Sequence, residues 1–510
     1  MKSDKFLFKN RKKLTATIIV GFVCLSLHIA FWIKDVRLYN FWNLLIFGTE
    51  LFYIIPQVIF VWLIYLKAKK KKEPRQQFKG AVDVFIPTYD EPLWLLERIL
   101  KSVKSYKYPS KVFLLDDGKK EERKILCDKL GIEYIARENN NGYKAGNINH
   151  ALKYSRAEFI AVFDYDHISN PDFLNYAMPY FKDEKIGAVQ VILDHYNENE
   201  SFVSTGAVEL NDSFFSATML GMDGWNGAVI FGSNSVFRRK ALESIGGYKI
   251  GLAEDLRTSL YLHAEGWQTA YIPRILAKGI VPSDLTSYFK QQFKWARGVF
   301  NALFNDYPKL FFKLKLNHHI CYSTRMTYYL TGFVVLGVLI ATLYSLFSES
   351  FASEFSEYLV YSFPLVATFF ASHILAGNSF RIKEKNGNFS IKGILLALGT
   401  YPVYCSAFLL EVFKLKWSFI PTPKEKNRDS LFIIFPQIIF SLAIVLGIIY
   451  RFIVGFAYEY IIIFIFSFIL LAIHSGIFYA FIENRFLLNK EKFDVKQESL
   501  RYLKEFQIVL

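Results

Sequence analysis

Cysteine is scarce in this sequence, and its few occurrences form no pattern. The 510 residues include four cysteines, Cys24, Cys127, Cys321 and Cys405. Their spacing matches neither a metal-thiolate site nor a disulfide framework, so we expect free thiols packed in the interior. The sequence also contains no internal repeat and no low-complexity linker, so it gives no sign of a repeat architecture.

Apolar residues, by contrast, are abundant. Hydrophobic residues make up 52% of the chain and aromatic residues 18%, with 51 phenylalanines. This composition is too apolar for an ordinary soluble protein, whereas a charged fraction of 21% is too high for a chain embedded in a membrane throughout. We therefore predict a mosaic of membrane-spanning and water-exposed segments.

Long apolar runs divide the chain. Two near its start, Leu14 to Ile33 and Phe41 to Leu66, each reach the roughly 20 residues that a helix needs to cross a membrane. Basic residues flank both runs, which places both ends of this hairpin in the cytoplasm. The length of the first run and the lack of a small-residue cleavage site favour a retained anchor over a signal peptide. The later runs are Met326 to Phe347, Tyr358 to Gly377, Ile391 to Phe413, Leu431 to Ile453 and Tyr460 to Ile482.

The run from Ile391 to Phe413 differs from the others. If it crossed the membrane, the basic loop Lys414 to Arg428 would lie outside, against the positive-inside rule. Gly399 and Pro402 also interrupt the run. We therefore predict that it lies on the cytoplasmic face, which leaves about six spans and a cytoplasmic C-terminus.

The chain carries a formal net charge of +15, and most of it comes from clusters beside the predicted membrane edges. Such clusters interact with anionic lipid at about 1 kcal/mol per basic residue. Nucleic-acid binding is the competing interpretation of a basic chain. Because these charges form no single stripe, we expect the lipid bilayer as a partner and no nucleic acid.

Between about Lys79 and Lys315 the pattern becomes that of a water-exposed domain. Short β-rich runs alternate there with helical patterns, an order typical of a parallel α/β sheet. The predicted strands are Val82 to Pro87, Lys111 to Leu115, Glu133 to Ala136 and Phe159 to Phe163, and the predicted helices are Leu93 to Val103, Lys120 to Leu130 and Ile148 to Tyr154. In such sheets ligands bind beyond the carboxyl ends of the strands.

Aspartates follow two of the predicted strands at those ends. Asp116 and Asp117 follow the second strand, and Asp164 and Asp166 follow the fourth. Two carboxylates spaced by one residue in extended chain point to one side, where they suit an Mg²⁺ or Mn²⁺ ion that also binds phosphate. A single aspartate at a strand end often only caps a helix or forms a turn. The four together favour the cation site.

A lysine lies in a glycine-bracketed segment between these pairs. Lys144 stands between Gly142 and Gly146 where a helix opens. The ammonium group, the backbone donors and the helix dipole converge there, as an anionic leaving group requires. The alternative interpretation of a lysine near two glycines is a solvated turn.

Two later segments complete the polar set. Phe231 to Ser235 closes a further apolar strand in our prediction, and Glu254 and Asp255 precede a helix predicted from Leu256 to Glu265. A carboxylate at that position either caps the helix or removes a proton from an attacking hydroxyl as a general base.

The segment Gln291-Gln292-Phe293-Lys294-Trp295 stands between this domain and the later apolar runs. The order of strand, paired aspartates, lysine loop, D-x-D, E-D and Q-x-x-K-W resembles the processive family-2 glycosyltransferases, the group of cellulose, curdlan and hyaluronan synthases. The resemblance extends from Val82 to about Tyr479. It implies an α/β cytoplasmic domain of the GT-A type, inserted in an α-helical transmembrane domain of about six spans plus interfacial helices.

The resemblance also implies a role for each matching residue. It assigns the UDP-sugar donor to Thr88, Tyr89, Glu91, Asp116, Asp117, Lys144, Asp164, Gln291, Lys294 and Arg297. It assigns the growing polysaccharide to Trp295, Gly232 and Ser233, the Mg²⁺ or Mn²⁺ ion to Asp164 and Asp166, and catalysis to Asp255 with Glu254. Phe419, Thr422 and Lys424 resemble a gating loop that enters the site over bound nucleotide.

Two positions depart from the family pattern. Lys294 replaces the arginine of the motif, and lysine binds phosphate as a point charge instead of a planar fork, so we expect a different nucleotide affinity. Ala253 replaces a threonine that is common before Glu-Asp in cellulose synthases, which weakens the case for cellulose as the product. No cyclic-di-GMP-binding domain is expected after the last span.

Five regions follow from these features. They are an N-terminal transmembrane hairpin (1–78), a glycosyltransferase domain (79–283), interfacial helices with the Q-x-x-K-W motif (284–325), a channel region (326–482) with an interfacial helix at 391–413 and a gating loop at 414–429, and a cytoplasmic tail (483–510).

The expected activity is an inverting, processive transfer from a UDP-sugar, with UDP-glucose as first choice, to a β-glucan that crosses a bacterial plasma membrane. A self-contained capsular glucan synthase fits this description. Three alternatives stay open: UDP-N-acetylglucosamine with or without UDP-glucuronate as donor, a lipid acceptor that receives one sugar, and an inactive scaffold subunit. A homo-oligomer is an open possibility.

Overall fold

The computed structural model describes residues 7–8, 11–35, 46–69, 71, 73–74, 78–381, 391–415, 428–455, 457–458, 460–486 and 494–508. Within these ranges the chain forms one mixed α/β domain and a set of long apolar helices. The predicted gating-loop residues Phe419, Thr422 and Lys424 lie outside the described residues.

The described strands form three sheets. The strands are β1 (Leu7–Phe8), β2 (Val82–Thr88), β3 (Ser110–Asp116), β4 (Glu133–Ile135), β5 (Phe159–Val162), β6 (Ile168–Ser169), β7 (Ile186–Val191), β8 (Asp194–His195), β9 (Ser235–Arg238), β10 (Gln268–Ile272), β11 (Ala277–Gly279) and β12 (Phe380–Arg381). The main sheet has the order β10-β7-β9-β5-β2-β3-β4, a small sheet has the order β6-β11-β8, and β1 pairs with β12.

Helices surround the main sheet and form the membrane region. They are α1 (Arg11–Asp35), α2 (Ile55–Lys67), α3 (Leu93–Lys104), α4 (Glu121–Leu130), α5 (Tyr143–Ala151), α6 (Phe173–Ala177), α7 (Phe202–Ser213), α8 (Met219–Gly224), α9 (Arg239–Ser244), α10 (Glu254–Ala264), α11 (Leu285–Asn305), α12 (Tyr307–Leu310), α13 (Leu316–Met326), α14 (Thr331–Phe347), α15 (Glu349–Ser379), α16 (Ile391–Gly399), α17 (Tyr401–Val412), α18 (Phe435–Val454), α19 (Tyr460–Phe486) and α20 (Val495–Glu505).

The parallel part of the sheet confirms the prediction for its four strands. Strands β5, β2, β3 and β4 lie side by side and parallel. Every residue of β2 and β5 is buried, as expected when helices cover both faces of a sheet. The carboxyl ends of β2, β3 and β5 therefore meet at one edge, with the predicted polar residues beyond them.

Four local predictions were wrong. The sheet is mixed, because β9 runs antiparallel between β5 and β7. The segment Phe231 to Ser235 therefore leads into β9 and does not close a strand, a direction that apolar patterning cannot reveal. Helix α5 begins at Tyr143 and not at Ile148, so Lys144 does lie where a helix opens, as predicted. Helix α10 begins at Glu254 and not at Leu256, so Asp255 lies in its first turn.

Six of the described helical segments are long and apolar enough to cross a membrane, which confirms the number predicted. They are Arg11–Ile33, Ile46–Lys67, Leu316–Phe347, Phe355–Ser379, Leu431–Val454 and Tyr460–Arg485. Helices α16 and α17 would make a seventh only as one broken span, since they meet at an angle of 41°. Close packing of Gly206 on α7 against the Lys392 carbonyl joins α16 to the α/β domain.

Small residues allow the α/β domain to contact the second span directly. A Cβ atom on Gly221 of α8 would lie 2.2 Å from the carbonyl oxygen of Ile64 on α2. A Cβ atom on Gly224 would lie 2.5 Å from the carbonyl oxygen of Lys67. Since such distances leave no room for a side chain, glycine is required where α8 crosses the end of this span.

The N-terminal hairpin depends on a similar contact. A Cβ atom on Gly21 of α1 would lie 2.4 Å from the ring of Trp62, which is fully buried and donates to Ser372 Oγ at 2.8 Å. We expect Gly21→Val to lower the free energy of unfolding by about 1–3 kcal/mol, because the ring has no space to yield. Thermal unfolding of the detergent-purified protein, followed by fluorescence-detected size exclusion, measures this effect.

Gly337→Val is the matched control. Gly337 also lies in a membrane-spanning helix, but a Cβ atom added there would meet no other atom within 4 Å. This variant should unfold at the wild-type temperature. Equal unfolding temperatures for the two variants would contradict the packing described at Gly21.

Candidate active site

The loop after β2 is held together by one carboxylate. Glu91 Oε2 accepts hydrogen bonds from Thr88 Oγ1 at 2.5 Å and from the backbone N–H of Tyr89 at 2.6 Å. The ring of Tyr89 remains 47% exposed beside it. Thr88, Tyr89 and Glu91, which the resemblance assigns to the UDP-sugar, therefore form a single turn. The ring of Tyr89 leaves an aromatic face open to a ligand.

A fully buried ion pair supports this turn from beneath. Asp116 Oδ1 lies 2.7 Å from Arg123 Nη1, and both side chains are completely buried. Arg123 also donates to the carbonyl oxygens of Tyr89 and Glu91 at 2.7 and 2.8 Å. The other oxygen of Asp116 accepts from the backbone N–H of Lys120 at 3.0 Å. In the structure Asp116 thus shapes the turn, and its direct contact with a nucleotide stays a prediction.

A second buried pair fixes the lysine segment. Both oxygens of Asp117 accept from Arg137, Oδ1 from Nε at 2.6 Å and Oδ2 from Nη2 at 2.7 Å. Arg137 also donates to the carbonyl oxygens of Asn141 and Tyr143 at 2.7 and 3.0 Å. Because these carbonyls immediately precede Lys144, the pair determines where α5 begins and where its lysine points.

Lys144 connects several predicted site residues. Its Nζ donates to Asp164 Oδ1 at 2.5 Å and to the carbonyl oxygen of Gly232 at 2.7 Å, and it lies 3.9 Å from Glu254 Oε1. Burial lowers the pKa of this ammonium group, but the carboxylates of Asp164, Glu254 and Asp255 outweigh burial and raise it. The cation is therefore permanent at neutral pH.

Gly232 has a conformation that a side chain would strain. Its φ is +68°, in the left-handed region, and a Cβ atom would lie 3.1 Å from Lys144 Nζ and 3.4 Å from Asp255 Oδ2. Ser233, the other predicted acceptor residue, is fully buried, and its Oγ accepts from the backbone N–H of Asp164 at 2.9 Å. In the structure Ser233 positions the D-x-D segment.

Asp164, Asp166 and His167 form a cluster with one candidate ligand atom each, all within 4.8 Å of one another. Asp164 is partly exposed, whereas Asp166 and His167 are buried. His167 Nδ1 lies 3.1 Å from Asp166 Oδ1, and its Nε2 is buried without a hydrogen-bond partner among the described residues. Two carboxylates and an imidazole suit Mn²⁺ or Mg²⁺ better than a thiol-seeking metal.

Asp255 lies on the other side of Lys144, in the first turn of α10. Burial, and next the neighbouring carboxylate of Glu254, raise its pKa to about 7. The backbone N–H of Leu256 and the cations of Lys144 and Arg325 oppose that rise. A carboxyl group with a pKa near the working pH suits a general base.

Helix α11 carries the Q-x-x-K-W motif to this segment. A Cβ atom on Gly298 would lie 2.7 Å from the backbone nitrogen of Ala253, so α11 contacts the chain just before Glu254. Trp295, 37% exposed, lies three residues before Gly298 and thus on the same side of the helix. Gln291 and Lys294 are partly buried on the same helix.

The resemblance assigns Arg297 to the UDP-sugar, but in the structure its side chain contacts Glu411 and Leu415. Its Nε lies 3.2 Å from Glu411 Oε2, and its Nη2 donates to the carbonyl oxygen of Leu415 at 2.5 Å. Leu415 lies at the start of the predicted gating loop (414–429) and is the last residue described there before residue 428. At the loop's other end, buried Asp429 accepts from the backbone N–H of Thr286 at 2.8 Å, again on α11.

Sequence reasoning missed four residues of this site. Arg123 and Arg137 gave no signal, because a charged residue in a helix or loop usually faces solvent. Gly298 could have been noticed as a glycine inside a helix, which costs stability unless packing requires it. His167 was visible next to D-x-D, and its type alone marks it as a possible metal ligand.

Two family models match this chain. Residues 80–298 match glycosyltransferase like family 2, and residues 243–377 match cellulose synthase. Among solved structures, a mannosyltransferase from Pyrobaculum calidifontis, in complex with GDP-Man and Mn²⁺, is similar at 16% identity and a TM-score of 0.43, over 78% of this chain and 100% of that one.

Similar curated proteins are cellulose synthase catalytic subunits described as UDP-forming. The Xanthomonas axonopodis pv. citri protein is 34% identical over 56% of this chain and 41% of its own length. The Komagataeibacter xylinus protein is 30% identical over 72% of this chain and 51% of its own length. This chain thus spans about half the length of the relatives that it matches. The two family matches overlap at residues 243–298 and together extend from residue 80 to residue 377.

Proposed function

We propose that this protein is an inverting membrane glycosyltransferase that polymerises a UDP-sugar into a β-glucan and passes the product across the membrane. UDP-glucose is the proposed donor, because the similar cellulose synthase subunits are UDP-forming. The proposed location is a bacterial plasma membrane with the α/β domain in the cytoplasm. A capsular or extracellular polysaccharide is the proposed product.

One observation carries this proposal. Lys144 lies between the D-x-D segment and the E-D segment, at hydrogen-bond distance from Asp164 and within 3.9 Å of Glu254. A donor diphosphate bound by the lysine and the D-x-D segment would therefore place its sugar toward Asp255. This is the arrangement that transfer to an acceptor hydroxyl requires.

The Asp164, Asp166 and His167 cluster fits a divalent cation, as its donor set indicates. These three residues would hold the ion, and Mg²⁺ or Mn²⁺ bound there would neutralise charge on the diphosphate. The ammonium group of Lys144 adds a fixed positive charge next to Asp164. Both favour departure of UDP as an anion.

The chemical step is a direct displacement at the anomeric carbon. The acceptor hydroxyl attacks C1, Asp255 takes its proton, and the bond from C1 to the phosphate oxygen breaks with its electron pair leaving on UDP. Attack on the face opposite the leaving group converts an α-linked donor into a β-linked product. Trp295 would stack on the acceptor sugar, since an indole face suits a sugar ring.

The first test is UDP release by the purified, detergent-solubilised protein with Mn²⁺ or Mg²⁺. UDP-glucose, UDP-N-acetylglucosamine and UDP-glucuronate are supplied separately and in pairs, and the product is sized before and after glucanase digestion. We expect release with UDP-glucose alone and a long, glucanase-sensitive product. Asp255→Asn should reduce the rate about 10²–10⁴-fold, because the base is lost.

The other outcomes separate the alternatives. Release only with a donor pair would move the protein to hyaluronan-like synthases. Release without a polymer would indicate a lipid acceptor, and no release with any donor would favour an inactive scaffold.

The pKa of Asp255 predicts the pH profile of the reaction. Because its pKa is raised to about 7, the base is protonated at lower pH, and kcat/KM should fall about tenfold for each unit below pH 7. Glu254→Gln removes a like charge and should shift this acid limb to lower pH.

Glu265→Gln is the control for that shift. Glu265 follows the end of the same helix, is exposed, and pairs with Lys313 at 3.2 Å. Its substitution should leave the acid limb in place. An unchanged limb in Glu254→Gln would remove Asp255 as the titrating base.

The metal assignment predicts that Asp166→Asn and His167→Ala weaken Mn²⁺ binding at least about tenfold in the presence of UDP. Electron paramagnetic resonance of free Mn²⁺ measures binding without turnover. His150→Ala, outside the cluster on α5, is the control. Unchanged binding in both cluster variants would refute this metal site.

A further inference from the structure

Helix α20 near the end of the chain packs against the glycosyltransferase domain. The sequence indicated only a cytoplasmic tail there. Asp494 begins the helix by accepting from the backbone N–H groups of Lys496 and Gln497 at 2.8 and 3.1 Å. A capped, amphipathic helix of 11 residues is marginal by itself, so its packing must stabilise it.

The apolar face of α20 contacts the segment that contains the D-x-D motif. Leu503 is fully buried in a cluster with Leu95 and Ile168, and Tyr165 packs against that cluster. Tyr165 lies between the two aspartates of the motif, and Ile168 directly follows His167. The helix therefore shares one apolar cluster with Tyr165 and Ile168, which flank Asp166 and His167 in the chain.

A polar contact reinforces this position. Lys278 Nζ lies 3.9 Å from the ring centroid of Tyr502 and 3.6 Å from Asp194 Oδ2. Lys278 belongs to β11, where it pairs with Ile168 of β6. The same lysine thus links α20 to the strand that follows the metal cluster.

Strand β6 is too short for its ladder hydrogen bonds alone to fix its position. β6 has two residues, Ile168 and Ser169, and its sheet has three short strands. Two residues supply few ladder hydrogen bonds, so side-chain packing must fix the segment. Within the part of the chain that the structure describes, Leu503 of α20 and Leu95 of α3 both pack against Ile168 of this strand.

We propose that α20 is a positioning element of the donor site, which holds Asp164, Asp166 and His167 in the geometry that binds a metal–diphosphate. The inference rests on the proposed function for its ligand, a nucleoside diphosphate with a divalent cation. Undocking of α20 would loosen the segment 164–169 and weaken that binding. Residues of α20 act through Tyr165 and Ile168 and touch no substrate.

The test compares full-length variants of Leu503. Leu503→Asp buries a charge against Leu95 and Ile168 and should undock the helix. Leu503→Ala should weaken docking less, and Leu503→Ile, which keeps an apolar side chain of the same size, should leave the helix docked. Lys504→Asp places the same charge on the exposed side of α20 and is the matched control. Binding of UDP with Mn²⁺ is measured by calorimetry, and amide hydrogen exchange is followed at residues 164–169.

We expect Leu503→Asp to weaken UDP–Mn²⁺ binding at least about fivefold and to speed amide hydrogen exchange at residues 164–169. Leu503→Ala should give intermediate values. Leu503→Ile and Lys504→Asp should behave like wild type. Unchanged exchange in Leu503→Asp and Leu503→Ala would overturn the inference. If wild type binds no UDP, the proposed function fails, and exchange in the ligand-free protein still decides whether α20 orders the segment. If Leu503→Asp does not fold, Leu503→Ala against Leu503→Ile makes the same comparison.

Discussion

The ammonium group of Lys144 is the contact on which the site depends. It joins the D-x-D segment after β5, the carbonyl of Gly232 before β9 and the E-D segment of α10. These segments come from distant parts of the chain and would repel one another through their carboxylates without a cation between them. A partly buried cation with several anionic neighbours is stabilised when its hydrogen bonds are satisfied, and those bonds set the spacing of the site.

Two buried aspartate–arginine pairs order two loops of the site, one of which carries that lysine. Asp116 with Arg123 orders the turn after β2, and Asp117 with Arg137 orders the carbonyls before α5. Removing one partner of such a pair leaves a buried charge, at a cost of about 3–5 kcal/mol. The adjacent residues Asp116 and Asp117 therefore order two separate loops, so both aspartates have a structural role.

Helix α11 joins this site to the membrane region. Gly298 packs against the segment before Glu254, while Arg297 and Thr286 bind the described residues at either end of the predicted gating loop. Since one helix carries all three contacts and Trp295, it connects Trp295 to the described residues at both ends of the loop. The glycines that contact Ile64 and Lys67 fix the α/β domain to the second span in a similar way.

The sequence by itself determined the parallel strands, the six apolar spans and the sheet edge at which the polar residues lie, because hydrophobic periodicity and run length are local properties. It also predicted that Asp164, Asp166, Lys144 and Asp255 belong to one site, through the order of motifs. Only the tertiary structure decided that β9 runs antiparallel, that Ser233 is buried and that α20 packs behind the D-x-D segment. Each of these features depends on contacts between residues that are far apart in the chain. A local sequence pattern carries no information about which segments make those contacts.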